Sequence, residues 1–82
     1  MRREHCWAQV LYEEGGWWFH VDPRVFKRLS AEAQLGLMAH ELGHAACYRG
    51  GDSGYGSEEE ADAHATRWGF AAELVALYDS AA

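Results

Sequence analysis

The sequence predicts an α+β fold in which an N-terminal β-hairpin is followed by a short helix and then by two longer helices. Three observations predict it: an aromatic-rich alternating stretch interrupted by a glycine turn, three residues of the kind that begin helices, and a segment whose apolar residues recur every three or four positions. The chain has 82 residues, the size of one small domain, so we expect residues 1–82 to fold as a single domain.

Residues 6–13 and 17–21 are predicted to be the two strands of the hairpin. Both stretches mix aromatic with β-branched residues, and residues 14–16 between them read Glu-Gly-Gly, which is typical of a tight turn. A hairpin is marginally stable alone and must pack on other elements. We expect Trp18 to take part in that packing, and the strand 17–21 is also a candidate edge for holding an extended peptide.

Two helix starts follow the hairpin. Asp22 can cap a helix that has Pro23 at its first position and extends to about residue 29. Ser30 can cap a longer helix over residues 31–48. The apolar residues of this longer helix form one stripe that we expect to face the core: Leu35, Met38, Leu42 and Ala45.

A glycine-rich loop precedes the last predicted helix. Residues 49–57 contain four glycines together with Asp and Ser, a composition typical of a loop. Ser57 and Glu60 have the spacing of a capping box. The sequence therefore predicts a final helix over residues 58–78.

Composition excludes several function classes. With 7 basic and 13 acidic residues the net charge is −6, whereas binding to nucleic acid or to an anionic membrane needs a basic patch. No apolar run approaches the roughly 18 residues of a membrane span, and no secretory signal is recognisable. Two cysteines, Cys6 and Cys47, do not make a disulfide framework and fit a reducing compartment. We therefore expect a cytoplasmic protein.

Residues 40–44 read His-Glu-Leu-Gly-His, which predicts a metal site. On a helix, residues four apart point the same way, so His40 and His44 can bind one Zn²⁺. Glu41 lies about 100° to one side, where its carboxylate can act as general base on a water that the metal activates. The alternative is an ordinary helix that carries these three side chains on its solvent-exposed side.

The third metal ligand must come from another element, and Glu58 is the strongest candidate. Asp62 lies four residues later on the same face and can accept a hydrogen bond from the outer nitrogen of His40 or His44. Acids in the first turn of a helix are also favoured by the helix dipole, which is the alternative explanation for Glu58. His64 competes as a ligand, although a hydrogen-bonded core histidine is the simpler interpretation.

Other residues near the predicted site are less defined. Cys47 follows His44 by three positions, and although a thiolate can bind zinc, we interpret Cys47 as a small buried residue. If the activated water attacks a carbonyl group, the oxyanion that develops also needs a hydrogen-bond donor. Tyr48, Arg49, Tyr55 and a residue of the hairpin are the candidates, and the sequence does not choose among them.

The segments 39–45 and 58–65, which read Ala-His-Glu-Leu-Gly-His-Ala and Glu-Glu-Glu-Ala-Asp-Ala-His-Ala, resemble the gluzincin metallopeptidases, and among them the ImmA/IrrE-like group. The resemblance implies a minimal zincin fold, with one zinc ion bound by His40, His44 and Glu58. It also implies Glu41 as the general base and Asp62 as a residue that hydrogen-bonds next to the ligands. The sequence departs from the family at residue 64, a histidine in place of phenylalanine, and at residues 68–71, where the family's proline is missing.

The sequence thus predicts a zinc-dependent metallopeptidase that hydrolyses peptide bonds in a peptide or protein substrate. Two alternatives remain open. One is a noncatalytic module that zinc stabilises and that binds a protein partner, which suits a chain this short because metal binding adds to folding free energy. The other is a latent peptidase that needs a partner or an oligomer for activity.

Overall fold

The computed structural model describes residues 8–49 and 54–81 and confirms an α+β fold in which a hairpin precedes the helices. The predicted start of the first strand at Cys6 lies outside the described residues. The elements, in chain order, are β1 (Ala8–Glu13), β2 (Gly16–Val21), α1 (Pro23–Phe26), α2 (Ala31–Ala46), α3 (Glu58–Arg67) and α4 (Ala71–Ala81).

The hairpin has a two-residue turn. β1 and β2 pair in antiparallel register from Ala8 opposite Val21 to Glu13 opposite Gly16. The turn residues Glu14 and Gly15 have φ angles of 54° and 78°. Positive φ at both central positions is the type I′ geometry, which matches the twist of the flanking strands. Gly16, predicted as part of the turn, therefore begins the second strand.

Only one face of the hairpin is covered. Ala8 and Val10 on β1 are buried, and Ala8 packs in one cluster with residues of the helices. Trp18 pairs with Leu11, which follows Val10 in β1. Because successive side chains of a strand point to opposite faces, Trp18 lies on the face opposite to the buried Val10. Trp18 is 53% exposed, and the expectation that it packs in the core is wrong because no second layer covers that face in the described part of the chain.

α2 lies at the centre of the fold, and its buried face differs from the predicted one. Ser30 caps it as predicted, accepting from the Ala33 amide at 3.1 Å, but the helix ends at Ala46 rather than at residue 48. The predicted core stripe is wrong: Leu35, Met38 and Leu42 are 46%, 41% and 57% exposed. The buried positions are instead Ala33, Gly36, Leu37, Ala39, His40, Glu41, Gly43 and His44.

Two glycines explain why this other face of α2 is buried. A Cβ on Gly36 would lie 2.3 Å from the carbonyl oxygen of Glu73 in α4, and a Cβ on Gly43 would lie 2.3 Å from that of Ala61 in α3. Both helices therefore pack against α2 with their backbones, which only a glycine face permits. Close backbone packing decided the orientation of α2, and Leu35, Met38 and Leu42 were left facing the solvent.

The C-terminal helix predicted over residues 58–78 is two helices. The Phe70 amide donates to the Ala65 carbonyl and the Gly69 amide to the Thr66 carbonyl, each at 3.0 Å, and Gly69 has a φ of +100°. This hydrogen-bond pattern is a Schellman motif, which ends α3. Phe70 then packs against the cluster that contains Ala65, as is common in this motif. The break turns the chain so that α4 also packs on α2.

The starts of α1 and α3 were predicted correctly, whereas the start of α4 was not predicted. Asp22 accepts a hydrogen bond from the Arg24 amide at 3.0 Å, although α1 ends at Phe26 rather than near residue 29. The capping box of α3 is complete: Ser57 Oγ accepts from the Glu60 amide at 3.0 Å, and the Glu60 carboxylate accepts from the Ser57 amide at 2.8 Å. None of the helices in the described segments has the length and apolarity that crossing a bilayer requires.

Candidate metal centre

Three predicted ligands meet between α2 and the start of α3. The ligand atoms of His40, His44 and Glu58 all lie within 4.8 Å of one another. Glu58 Oε1 is 2.8 Å from His40 Nε2, and Glu58 Oε2 is 3.3 Å from His44 Nε2. The two histidines are one helical turn apart on α2, and Glu58 is the first residue of α3. The capping box and the contact at Gly43 together place Glu58 beside them.

The outer nitrogens of both imidazoles are bonded to acceptors. His40 Nδ1 lies 2.7 Å from Asp62 Oδ1, and His44 Nδ1 lies 2.8 Å from the backbone carbonyl oxygen of Tyr55. A carboxylate and a carbonyl can only accept, so each Nδ1 carries a proton. When a ring is neutral, its lone pair is therefore on Nε2 and faces Glu58. This is the tautomer that binds a metal through Nε2.

A positive charge is needed between these groups. The Nε2 lone pairs of neutral imidazoles and the Glu58 carboxylate are all acceptors, and they face one another at 2.8 and 3.3 Å. Either protons on the imidazoles or one cation between the three side chains makes the arrangement favourable. Protons and a metal ion therefore compete for the same place in the structure.

The donor set fits a divalent transition metal. In a tetrahedral site with bonds of 2.0–2.1 Å, two ligand atoms lie roughly 3.3 Å apart. The separation of 3.3 Å between His44 Nε2 and Glu58 Oε2 agrees with this value. His40 Nε2 and Glu58 Oε1 are closer, at 2.8 Å. The Glu58 side chain can move to lengthen this distance because it is 57% exposed, whereas the side chains of His40 and His44 are 8% and 11% exposed. The three residues are thus able to hold a metal ion, with solvent access from the side of Glu58.

Glu41, which follows the candidate ligand His40 in the sequence, is buried. Together with His40 and His44 it belongs to the buried polar residues of the protein, at 6% exposure. The alternative of an ordinary helix that carries these three side chains on its solvent-exposed side is therefore wrong. Burial of a carboxylate costs free energy unless the group is hydrogen-bonded or paired with a positive charge.

Comparison with known proteins identified no similar protein. No family model, no curated protein and no solved structure matches the chain. The resemblance to gluzincins stays a prediction that rests on the residues of segments 39–45 and 58–65. The meeting of His40, His44 and Glu58, by contrast, is a feature of the structure and does not depend on that resemblance.

Tyr78 extends the centre and was missed in the sequence. Its hydroxyl donates to Asp62, at 2.6 Å from Oδ2 and 2.8 Å from Oδ1. Burial of the hydroxyl, its bond to Asp62 and the nearby charges of Asp62 and Glu58 raise the pKa of Tyr78 far above its usual range. An uninterrupted helix would carry Tyr78 away from Asp62. The sequence signal that could have predicted the position of Tyr78 is Gly69, because a glycine at this point can end one helix and begin a turn.

The two tyrosines predicted as oxyanion donors belong to an aromatic cluster beside His44. The rings of Tyr48 and Tyr55 stack with centroids 5.0 Å apart, and Trp17 meets Tyr48 edge-on at 5.3 Å. The Tyr55 hydroxyl accepts from the Tyr12 amide at 3.0 Å, which ties β1 to the loop beside the centre. The contact of Tyr55 with the site is therefore its carbonyl on His44, which no side-chain pattern could predict. An oxyanion role for either hydroxyl stays a prediction.

The remaining candidates lie elsewhere. His64 is half-buried on α3, where it accepts from Arg67 at 3.0 Å and lies against Trp68, and it is not among the three grouped ligands. Cys47 is buried, as predicted, and is a free thiol, whereas Cys6 lies outside the described residues.

Arg49 and the strand 17–21 have no contact with the centre among those described. The Arg49 guanidinium donates to the Cys47 carbonyl at 3.3 Å and lies 3.6 Å from a Glu60 carboxylate oxygen, so it is engaged at the junction of α2 and α3. Both strands contact Tyr55 in the loop next to His44, β1 through the Tyr12 amide and β2 through the Trp17 ring, whose centroid lies 6.4 Å from that of Tyr55. The edge role predicted for 17–21 stays a prediction.

Proposed function

We propose that this protein is a zinc-dependent peptidase with a minimal zincin fold, in which His40, His44 and Glu58 hold one Zn²⁺. The observation that carries the proposal is the double restraint of the imidazoles, since both outer nitrogens are bonded to acceptors while both Nε2 atoms face one carboxylate. Two imidazoles and one carboxylate form a ligand set typical of catalytic zinc, whereas Mg²⁺ and Ca²⁺ prefer oxygen ligands alone.

In the proposed reaction each residue has a separate task. When bound, zinc would lower the pKa of a water molecule towards about 7 and polarise the scissile carbonyl of a peptide. Glu41 would accept the proton of the attacking water at its carboxylate and deliver it to the leaving amine. Asp62 and the Tyr55 carbonyl would hold the ring protons on Nδ1, so that Nε2 of each imidazole is the atom left to bind the metal.

A second function is favoured by the small core. Among the described residues, no large side chain is fully buried, whereas Ala33, Ala61 and Ala65 are. A metal that binds the folded chain alone would supply folding free energy that the core lacks. A noncatalytic zinc-stabilised module that binds a protein partner, or a latent peptidase that a partner activates, therefore remains the competing proposal. The cytoplasm, a reducing compartment, suits the free thiol of Cys47.

Replacing Glu41 by glutamine distinguishes these functions. Glu41→Gln should bind about one equivalent of zinc and melt near the wild-type temperature, yet cleave a peptide library at least about 100-fold more slowly, because general bases contribute 10²–10⁴-fold. Glu59→Gln is the matched control: it removes an exposed carboxylate in the first turn of α3, should leave zinc and cleavage unchanged, and should cost at most about 1 kcal/mol of stability through the helix dipole.

The possible outcomes separate the proposals. Cleavage by the wild type that Glu41→Gln retains would show that Glu41 is not the base. Zinc binding by a wild type that cuts no member of the library would favour the noncatalytic module. Absence of zinc binding by the wild type, measured by elemental analysis, would exclude the metal site itself.

A further inference from the structure

The geometry points to Tyr78 as a positioning residue of the metal centre, through which α4, although it supplies no ligand, sets the affinity for the metal. Tyr78 donates to Asp62, and Asp62 in turn holds the ligand His40. This inference rests on the proposed metal site and extends it from the two ligand-bearing helices to a third element.

The three side chains form a continuous series of hydrogen bonds. Asp62 Oδ1 accepts both from His40 Nδ1, at 2.7 Å, and from the Tyr78 hydroxyl, at 2.8 Å, while Oδ2 lies 2.6 Å from the same hydroxyl. The two donors approach the carboxylate from different helices. Because Asp62 is 31% exposed, it would otherwise be free to turn towards the solvent. Tyr78 therefore fixes the orientation in which Asp62 faces His40.

The direction of the Tyr78 bond cannot reverse. Tyr78 is 47% exposed as a whole, but partial burial of its hydroxyl, the bond to Asp62 and the adjacent carboxylates raise the pKa of Tyr78, so the phenol is protonated at neutral pH. Asp62 as a carboxylate can only accept. Because the tyrosine hydroxyl occupies one acceptor position of Oδ1, the other accepts from His40 Nδ1, which holds the His40 proton there and leaves Nε2 facing the site.

Tyr78 reaches Asp62 because α4 is held firmly on α2. Gly36 allows the backbone at Glu73 to approach closely, and Leu74 and Leu77 are buried at 5% and 3% exposure in the two core clusters. Tyr78 follows Leu77 directly. Docking of α4 and binding of the metal at His40 should therefore stabilise each other, since each orders Asp62 in the position that the other requires.

Zinc affinity of Tyr78→Phe tests the inference without using catalysis. The substitution removes the hydroxyl and keeps the ring. Removing a group that directly hydrogen-bonds a ligand costs 10–100-fold in metal affinity, so we expect that loss for Asp62→Ala and a smaller loss of about 3–10-fold for Tyr78→Phe. Competition with a chromophoric chelator measures both. Ser80→Ala is the matched control: its hydroxyl bonds only within α4, to the Ala76 carbonyl at 2.9 Å, and its removal should not change zinc affinity.

A double-mutant cycle separates positioning from general support. If Tyr78 acts through Asp62, Tyr78→Phe should weaken zinc in the wild type and have no further effect in the Asp62→Ala background. An equal loss in both backgrounds, or unchanged zinc affinity in the single variant, would overturn the inference. A wild type that binds no zinc would instead refute the proposed metal site, which is a distinguishable failure.

A measurement on the wild-type chain covers the case in which Tyr78→Phe does not fold. In the ¹⁵N spectrum of the histidine rings, His40 should appear as the neutral Nδ1–H tautomer with zinc bound, and its ring proton should exchange slowly with water. The hydroxyl proton of Tyr78 should also be protected. Rapid exchange of that hydroxyl in the zinc-bound protein would contradict the inference.

Discussion

The two imidazoles of the centre are held by acceptors of different kinds. His40 is restrained by a side chain, Asp62, whereas His44 is restrained by the backbone carbonyl of Tyr55. A side-chain acceptor can be removed by one substitution, but a backbone acceptor persists through any substitution that preserves the local fold. The orientation of His44 is therefore the more tolerant of the two to changes in neighbouring side chains.

Removal of either imidazole should abolish stoichiometric metal binding. His40→Ala and His44→Ala each leave two of three ligands, so bound zinc should fall from about one equivalent to a trace, with a loss of the stability that the metal supplies. Elemental analysis after gel filtration measures the stoichiometry. His64→Ala is the control, since its ring contacts Arg67 and Trp68 instead. Full retention of zinc in His40→Ala would disprove the site.

At this scale, sequence could predict what helical spacing determines. His40 and His44 share a face because they are four residues apart, and Glu58 with Asp62 repeat that spacing on α3. Tyr78 could not be placed, because its position depends on a helix break and on packing between α2 and α4. The acceptor on His44 could not be predicted either, because every residue has a backbone carbonyl.

Among the elements, the contact of α2 with α3 controls the geometry of the centre. Gly43→Ala would place a Cβ 2.3 Å from the Ala61 carbonyl and must move α3 away from α2, and Glu58 with it. Overpacking of this kind costs about 1–3 kcal/mol. We therefore expect both a lower free energy of unfolding and weaker zinc binding.

Urea unfolding and zinc titration of Gly43→Ala measure the two effects. Gly15→Ala is the control: Gly15 has a φ of +78° in the hairpin turn, and its Cβ would meet no atom within 4 Å. It should lower stability through backbone strain and leave zinc affinity unchanged. Wild-type zinc affinity in Gly43→Ala would show that the α2–α3 distance does not set the site.

The capping box of α3 gives a pH dependence with a defined sign. The Ser57 amide, and then the charge of Arg49, lower the pKa of Glu60 below its ordinary value of 4.5. The folded chain therefore binds this proton less tightly than the unfolded chain. The resulting stability is complete above pH 4.5 and is lost as the pH falls through the folded-state pKa.

Glu60→Gln tests that sign in metal-free protein. Glutamine can still accept from the Ser57 amide but carries no charge. The variant should be less stable than the wild type at neutral pH, and the difference should shrink well below pH 4.5, as urea midpoints at several pH values would show. A difference that stays constant with pH would mean that the carboxylate charge contributes nothing.

Helix starts were predicted better than helix ends or buried faces. Caps at Asp22, Ser30 and Ser57 are local hydrogen bonds between neighbouring residues, and all three are present. The end of α3 depends on a left-handed glycine, Gly69, whose role the sequence did not settle. The buried face of α2 depends on which helices pack against it. Hydrophobic spacing alone favoured the face with Leu35, Met38 and Leu42, whereas the structure buries the face with Gly36 and Gly43.

For the molecule as a whole, metal binding and stability should be linked. A ligand that binds only the folded state adds about 2.7 kcal/mol at 100 times its dissociation constant. In a domain of 60–100 residues each kcal/mol shifts the melting temperature by about 4–8 °C, so saturating zinc should raise it by about 10 °C or more. Differential scanning fluorimetry with and without a chelator measures this shift. Equal melting temperatures would contradict a metal site in the folded chain.

The packing of α3 on α2 has an entropic consequence. Gly43 of α2 lies against Ala61 of α3, and Ala39 of α2 shares a buried cluster with Ala65 of α3. Glycine and alanine have no side-chain rotamers to lose when an interface forms, whereas ordering a longer side chain costs up to about 2 kcal/mol. At these positions α3 therefore packs on α2 beside the histidines without a side-chain ordering penalty, whereas α4 packs through leucines that must be ordered.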